Sequence, residues 1–393
     1  MQLSGAEIMC RILAEEGVTT VFGYPGGAIL PFYDALRQSP IQHILTAHEQ
    51  GAAHAADGFA RASGKVGVCI ATSGPGATNL VTGLATAFLD SVPVVAITGQ
   101  VNRALIGHDA FQEVDITGIT MPITKHNFLV KKPENLAQTL RLAFQLAREG
   151  RPGPVLVDVP RDVQTALIDF EEARLAELQP LEPDAERVAA AATAINKAQR
   201  PVMLVGGGGI NANAEYDAMH LCEKLHIPVV STLMGLGAIS AYRQLFLGMT
   251  GLHGHERANN AVKEADLILA VGSRFNDCVT GERSSYSANK LIIHLDIDPA
   301  EVDKNIDSGI GITGDMVATL NALEKAAQPH DLSSWWDKIN SWPGMDDDFG
   351  NEEAPKFFKA LNPVLKDNDY IITTDVGQHQ MWAAQHLKIQ YAR

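Results

Sequence analysis

Short apolar runs with strand character alternate along this chain with longer amphipathic stretches, and that rhythm restricts the fold more than any other feature. Thr20 to Tyr24, His43 to Ala47, Val66 to Ala71, Pro93 to Thr98 and Val155 to Val159 are largely continuous in their hydrophobicity, with no polar residue at every second place. Strands buried on both faces belong to parallel sheets covered by crossover helices, so the pattern predicts layered α/β domains in series. The rhythm stops in the stretch IDFEEARLAELQPLEPDAER, rich in charge and proline, which reads as an exposed connection over 166–186. It restarts with PVMLVG (201–206), IPVVST (227–232), DLILAVG (266–272) and KLIIHLD (290–296). A polar, Trp-containing stretch at 329–353 reads as a second connection, before a helical pattern and one more buried strand, DYIITTDVG (369–377). The expected organisation is a domain over 1–165, a second over 187–328, and the beginning of a third over 354–393.

Composition excludes several function classes. At 393 residues and about 150 residues per domain, two to three domains are expected rather than one small binding module. No apolar run reaches the roughly 18 to 20 residues of a membrane helix. The net charge is −15 with no basic cluster, which makes nucleic acid a poor partner. The N-terminal MQLSGAEIMCRILAEEGVTT has no basic start, apolar core or cleavage site, so a cytoplasmic location is expected. Cys10, Cys69, Cys222 and Cys278 are far apart and never form C-x-x-C, as suits free thiols rather than disulfides or structural zinc.

Open α/β sheets bind ligands beyond the carboxyl ends of their strands. GYPGGA (23–28) and TSGPGATN (72–79) stand at such ends, where glycine permits a tight turn and close backbone approach. A bare strand-to-helix turn explains either motif equally well. Gly58 to Lys65 fails as a P-loop in spacing and in Val66, while the dinucleotide patterns starting at Gly74 and Gly206 fail at Asn79 and Asn211. Glu49 follows a strand and opens an Ala-rich helix closed by Gly64. It reads either as a first-turn residue of that helix or, in a buried cleft, as a carboxyl exchanging a proton with a heterocyclic nitrogen. His43, His48 and His54 show no metal spacing and read as satisfied polar residues.

Together, GYPGGA, HEQGAA (48–53), TSGPGATN, DAFQE (109–113), GRPGPVLVDVP (150–160), MGLG (234–237) and DVGQHQMWAAQ (375–385) closely resemble the catalytic subunit of acetohydroxyacid synthase, also called acetolactate synthase. The resemblance implies a thiamine-diphosphate enzyme with a pyrimidine-binding domain, a central Rossmann-like FAD-binding domain and the start of a diphosphate domain. It implies decarboxylation of pyruvate and condensation of the two-carbon unit with pyruvate or 2-oxobutanoate, in valine, leucine and isoleucine biosynthesis.

Residue by residue, the resemblance makes Glu49 the carboxyl that hydrogen-bonds the aminopyrimidine, with Tyr24, Pro25, Pro75 and Asn79 around that ring. Gln112 and Phe111 match residues near the reacting centre, and Gly26 and Gly27 leave room for cofactor and substrate. Val376, Gly377, Gln378 and His379 match the first diphosphate contacts. A structural FAD would touch Arg151, Gly206, Gly207, Gly208, Thr232, Leu233, Gly251, Leu252, His253, Gly254, Gly272, Arg274, Asp296, Ile297 and Asp315. Two departures fall at substrate positions: Cys278 stands where the family has a second arginine, and Arg161 where it usually has lysine. The first is expected to weaken or alter binding of the acceptor acid.

The Gly-Asp-Gly motif with a downstream Asn that holds Mg2+ does not occur, and Gly314-Asp315-Met316 is only superficially similar. The magnesium ligands are therefore expected beyond residue 393, and the chain by itself is expected to be inactive. A homodimer or homotetramer, with a small regulatory subunit, is implied. The alternatives are another thiamine-diphosphate 2-oxo acid decarboxylase or oxidase, a non-catalytic truncated relative, and, far behind, a nicotinamide dehydrogenase.

Overall fold

A computed structural model describes residues 1–173, 179–345, 353–366 and 368–392. The chain divides into two compact units, Met1–Leu178 and Gln179–Arg393. In the first, β1 (Gln2–Ser4) and β8 (Leu167–Asp169) form a small antiparallel pair. The remaining strands are β2 (Thr20–Gly23), β3 (Gln42–Leu45), β4 (Gly67–Ala71), β5 (Val94–Gln100), β6 (His126–Leu129) and β7 (Val155–Pro160). They form a six-stranded sheet in the order β3-β2-β4-β5-β7-β6, parallel throughout. Every residue of β4, β5 and β7 is buried, as continuous apolar runs require between two helical layers. Each fully buried Val, Ile or Leu contributes about 1.5–3 kcal/mol.

The second unit holds β9 (Pro201–Val205), β10 (Val229–Ser231), β11 (Phe246–Met249), β12 (Leu267–Val271), β13 (Leu291–Asp296) and β14 (Ile310–Thr313). Its order is β11-β10-β9-β12-β13-β14, again all parallel. In both sheets the chain winds from its first strand to the edge on one side, then crosses to the other side. The reversal falls between β2 and β4 in the first sheet and between β9 and β12 in the second, and such a switch point opens a crevice beyond the strand ends.

Three expectations need correction. The connection read over 166–186 starts with a strand, because Leu167 to Asp169 pairs with the N-terminus and Phe170 is buried beyond it. The same interval ends inside the second unit: Asp184 caps the helix Ala185–Ile195. The stretch read as a connection at 329–353 contains the helix Ser333–Asn340, whose Trp335 lies in the core and donates from Nε1 to the Pro201 carbonyl at 3.1 Å. The third correction concerns DYIITTDVG. Residues 369–377 form no strand, and Ile371 and Val376 are exposed. A parallel strand needs neighbours for its backbone groups, and none of the described residues supplies one.

Candidate active site at the first switch point

The helix Glu49–Ser63 follows β3. His48 Nδ1 caps it by accepting the Gln50 amide at 3.1 Å, and Gly64, left-handed at φ 69°, ends it. Its inner face is Ala52, Ala53, Ala56 and Ala60, so small that a Cβ on Gly67 would lie 2.1 Å from the Ala56 carbonyl oxygen. This close docking sets Glu49 at the end of β3 beside the crevice. The Glu49 carboxyl is buried to 9% exposure and its Oε2 accepts from Asn79 Nδ2 at 2.9 Å.

Two turns wall the carboxyl. After β4, Pro75 begins the short helix Pro75–Thr78, which delivers Asn79 to Glu49. A Cβ on Gly76 would lie 3.2 Å from Glu49 Oε1 and 2.7 Å from Thr72 Cγ2. After β2, a Cβ on Gly26 would meet the same Thr72 side chain at 2.5 Å, and the Ala28 amide donates to Thr72 Oγ1 at 3.2 Å. Thr72, which the motif contains but sequence reasoning passed over, thus joins the two turns. Nothing lies within 4 Å of a Cβ on Gly27. Tyr24 and Pro75 are exposed on the rim.

The loop 101–115 comes down on this crevice. Gln112 has φ 58°, and a Cβ on Gly74 would lie 2.6 Å from the Gln112 carbonyl oxygen. Phe111 is 87% exposed. Within the loop, the Glu113 carboxylate accepts the Gly107 and Ala110 amides, which hold its pKa below the usual value. Arg161, exposed, opens the helix Arg161–Thr165 after β7. The expected histidines are occupied structurally, His48 as a cap and His43 on the Gly23 carbonyl at 3.3 Å.

The second switch point gathers most of the proposed flavin contacts. Gly206 follows β9 and Gly272 follows β12; a Cβ on Gly206 would lie 2.3 Å from the Gly272 carbonyl oxygen, and the Gly208 amide donates to that oxygen at 3.0 Å. Gly207 faces Met234, and Leu233 and Met234 are exposed above it. Thr232 Oγ1 accepts the Gly235 amide at 3.1 Å, Asp296 Oδ1 the Asp298 amide at 2.9 Å, and Asp315 Oδ1 the Ala318 amide at 2.9 Å. The Cys278 carbonyl accepts the Leu252 amide at 2.8 Å and crowds Gly251, which has φ 112°. Gly254 turns back on Met249, and the His253 carbonyl accepts Gln385 Nε2 at 2.9 Å. The Arg274 carbonyl accepts Asn305 Nδ2 at 2.8 Å, and Ile297 is half-buried. Arg151 belongs to the first unit, where its Nε donates to Ser91 Oγ at 2.8 Å. Val376, Gln378 and His379 are exposed; with Gly377 they lead into the helix Gln378–His386. All four cysteines are free, and only Cys278 is exposed.

Comparison with known proteins decides the family. Residues 3–119 match the N-terminal TPP binding domain of thiamine pyrophosphate enzymes, and residues 188–323 match the central domain of the same enzymes. The probable acetolactate synthase large subunit of Methanocaldococcus jannaschii is 49% identical over 100% of this chain and 70% of its own length. The chain belongs to the acetolactate synthase large-subunit family. The isozyme 2 large subunit of Escherichia coli is 48% identical over 98% of the chain and 70% of the relative. That of Corynebacterium glutamicum is 47% identical over 100% of the chain and 65% of the relative. Family membership makes the first unit a TPP binding domain by kind, and the fold agrees: each unit holds a six-stranded parallel α/β sheet. No helix among the described residues is long and apolar enough to cross a membrane.

Proposed function

We propose that the protein is the catalytic subunit of an acetolactate synthase. It would decarboxylate pyruvate and join the two-carbon unit to a second 2-oxo acid, pyruvate or 2-oxobutanoate. The observation that carries this reading is the buried Glu49 carboxyl, oriented by Asn79 and backed by Gly76, at the switch point of the first sheet. Thiamine diphosphate, when bound, supplies the nucleophile that attacks pyruvate and the electron sink that accepts the pair as CO2 leaves. The residues present fit its aminopyrimidine. Glu49 offers a carboxyl to a ring nitrogen and holds or releases a proton there, while Asn79 keeps that carboxyl from turning away. Gly26, Gly74 and Gly76 keep open the volume that side chains would fill. Tyr24 and Pro25 would border the ring on one side and Pro75 on the other, with Gly27, Phe111 and Gln112 toward the substrate.

FAD is assigned a structural role at the second switch point. The exposed Leu233, Met234 and Leu252 offer apolar surface to flat rings near the ends of β9, β10 and β12, and Asp296 suits a ribose hydroxyl. For Mg2+ the described residues do not fit. Among them no three His, Cys, Asp or Glu side chains gather, and Asp315 spends its carboxylate as a helix cap. Mg2+ held by ligands outside the described residues, diphosphate contacts from Val376 to His379, and acceptor contacts from Arg161 and Cys278 are part of this proposal. So are a homodimer or homotetramer, a small regulatory subunit and a cytoplasmic location; the relatives' own designation as large subunits supports the second of these.

Product analysis tests the reading. Expressed from its natural gene and supplied with pyruvate, thiamine diphosphate, Mg2+ and FAD, the protein is expected to form 2-acetolactate, and Glu49→Gln to lower the rate by about 10²-fold or more. Acetaldehyde or acetate as the main product indicates a different 2-oxo acid decarboxylase or oxidase.

A further inference from the structure

The apolar centre of the first sheet contains three polar side chains, Thr98 and Gln100 on β5 and Asp158 on β7, each buried. Thr98 stands in register with Asp158, and Gln100 follows two residues later on the same face. Thr98 Oγ1 donates to Asp158 Oδ1 at 2.7 Å, and Gln100 Nε2 donates to Asp158 Oδ2 at 2.9 Å. The same Nε2 donates to the Val114 carbonyl at 3.0 Å, while Gln100 Oε1 accepts the Val101 amide at 2.8 Å. The amide of Gln100 is therefore locked in one orientation. Turned over, it would set its oxygen against the Asp158 carboxyl and the Val114 carbonyl. Leaving any member of such a buried set without its partner carries the full desolvation cost.

What this set grips is the loop 101–115. Val101 and Val114 mark its two ends, and both are bonded to Gln100. A second fastening is Arg103, whose Nε and backbone amide both donate to the Asp162 carboxylate, at 2.7 and 3.0 Å. Between these anchors Glu113 gathers the Gly107 and Ala110 amides, and Gln112 rests on Gly74. We propose that Gln100 and Asp158 are positioning residues that hold the loop 101–115, and with it Phe111 and Gln112, over the Gly74–Asn79 turn. What the loop covers rests on the function proposed above; the fastening itself depends on no cofactor.

Hydrogen–deuterium exchange of the native protein, without added cofactor, tests the fastening. In Gln100→Leu the amides of residues 107–113 are expected to exchange roughly tenfold faster, with the helix Glu49–Ser63 unchanged. Asp158→Asn is the conservative variant: its side-chain oxygen still accepts from Gln100, and the Thr98 hydroxyl turns to accept from the new amide. Loop exchange in Asp158→Asn should stay within about threefold of wild type. Val157→Ala, a plain core truncation on β7, should loosen the sheet without singling out the loop. If Gln100→Leu fails to fold, Gln100→Met, nearer in shape, is read in the same way. Steady-state kinetics of the loaded protein should then show the pyruvate KM raised in Gln100→Leu and close to wild type in Asp158→Asn. Loop exchange in Gln100→Leu no different from that in Val157→Ala overturns the proposal, as does Asp158→Asn loosening the loop as much as Gln100→Leu. A loosened loop in a protein that forms no acetolactate from pyruvate instead upholds the fastening and removes the function.

Discussion

At the crevice of the first sheet, between β2 and β4, Gly26 and Gly76 face side chains; at that of the second, between β9 and β12, Gly206, Gly208 and Gly272 face backbone. Gly26 and Gly76 look onto Thr72 and Glu49, whereas Gly206 and Gly208 lie against Gly272 itself. The two sheets share strand number, direction and the place of the reversal. Their glycines serve different ends. In the first unit they leave room around a buried carboxyl, and small movements of side chains can absorb a change there. In the second they let the turns after two neighbouring strands touch, and main chain cannot move aside without disturbing the sheet. Topology chooses where a ligand can bind, and the side chains at that point choose the chemistry.

The largest effect that would break this contrast is expected at Gly272. Gly272→Ala combines a φ of 59° with a Cβ 2.6 Å from Gly208 backbone atoms, and should cost about 3 kcal/mol. Thermal unfolding should show the second unit melting early with the first little changed; an unchanged melting profile would mean that the glycine contact carries no constraint. Gly76→Ala should be milder, about 1 kcal/mol, because its clash is with the ends of Thr72 and Glu49. Its effect on thiamine diphosphate affinity should exceed its effect on stability, and calorimetric titration against urea unfolding compares the two.

A third test concerns Asp158. Burial pushes its carboxyl up to about 7, with the Thr98 and Gln100 hydrogen bonds pulling the other way. The folded protein therefore holds this proton to higher pH than the unfolded chain, so the contribution to stability is full below about pH 4 and is lost as pH rises toward 7. Asp158→Asn removes that dependence. The difference between the urea midpoints of wild type and variant should move in the variant's favour between pH 5 and pH 7.5, and a difference independent of pH refutes the assignment. The smallest effect on stability is expected from Cys278→Arg, since Cys278 is exposed: within about 0.5 kcal/mol. If this position faces the acceptor acid, the same change lowers the acceptor's KM; an unchanged KM removes Cys278 from the site.

Much of the fold was legible because burial on two faces leaves a continuous apolar run. β4, β5 and β7 stand where such runs occur, as do β9, β10, β12 and β13; β2 and β3 also stand at apolar runs, although β2 is buried only at alternate residues and β3 is mostly exposed. β6, β11 and β14 were missed; all three are edge strands, and HNFL or IGIT carries too little hydrophobic signal over four residues. DYIITTDVG shows the converse error, strand composition without a partner. Of the site, Glu49 was singled out from its place after a strand, and Asn79 from its motif. Thr72, Gln100 and Asp158 were passed over. The Asp within VLVDVP was the available signal, since a carboxyl inside a doubly buried strand must be held by something.

The sequence by itself determined the layers, the parallel sheets and the family, because these follow from local hydrophobic periodicity and from motifs whose order is fixed along the chain. Only the tertiary structure decided that Glu49 meets Asn79 across 30 residues, that Gln100 ties both ends of one loop to a carboxyl 58 residues away, and that Gly26 and Gly76 face side chains while Gly206, Gly208 and Gly272 face backbone. Hydrogen bonds and close contacts between distant segments depend on strand order and register, and no stretch of sequence short enough to read locally contains both partners.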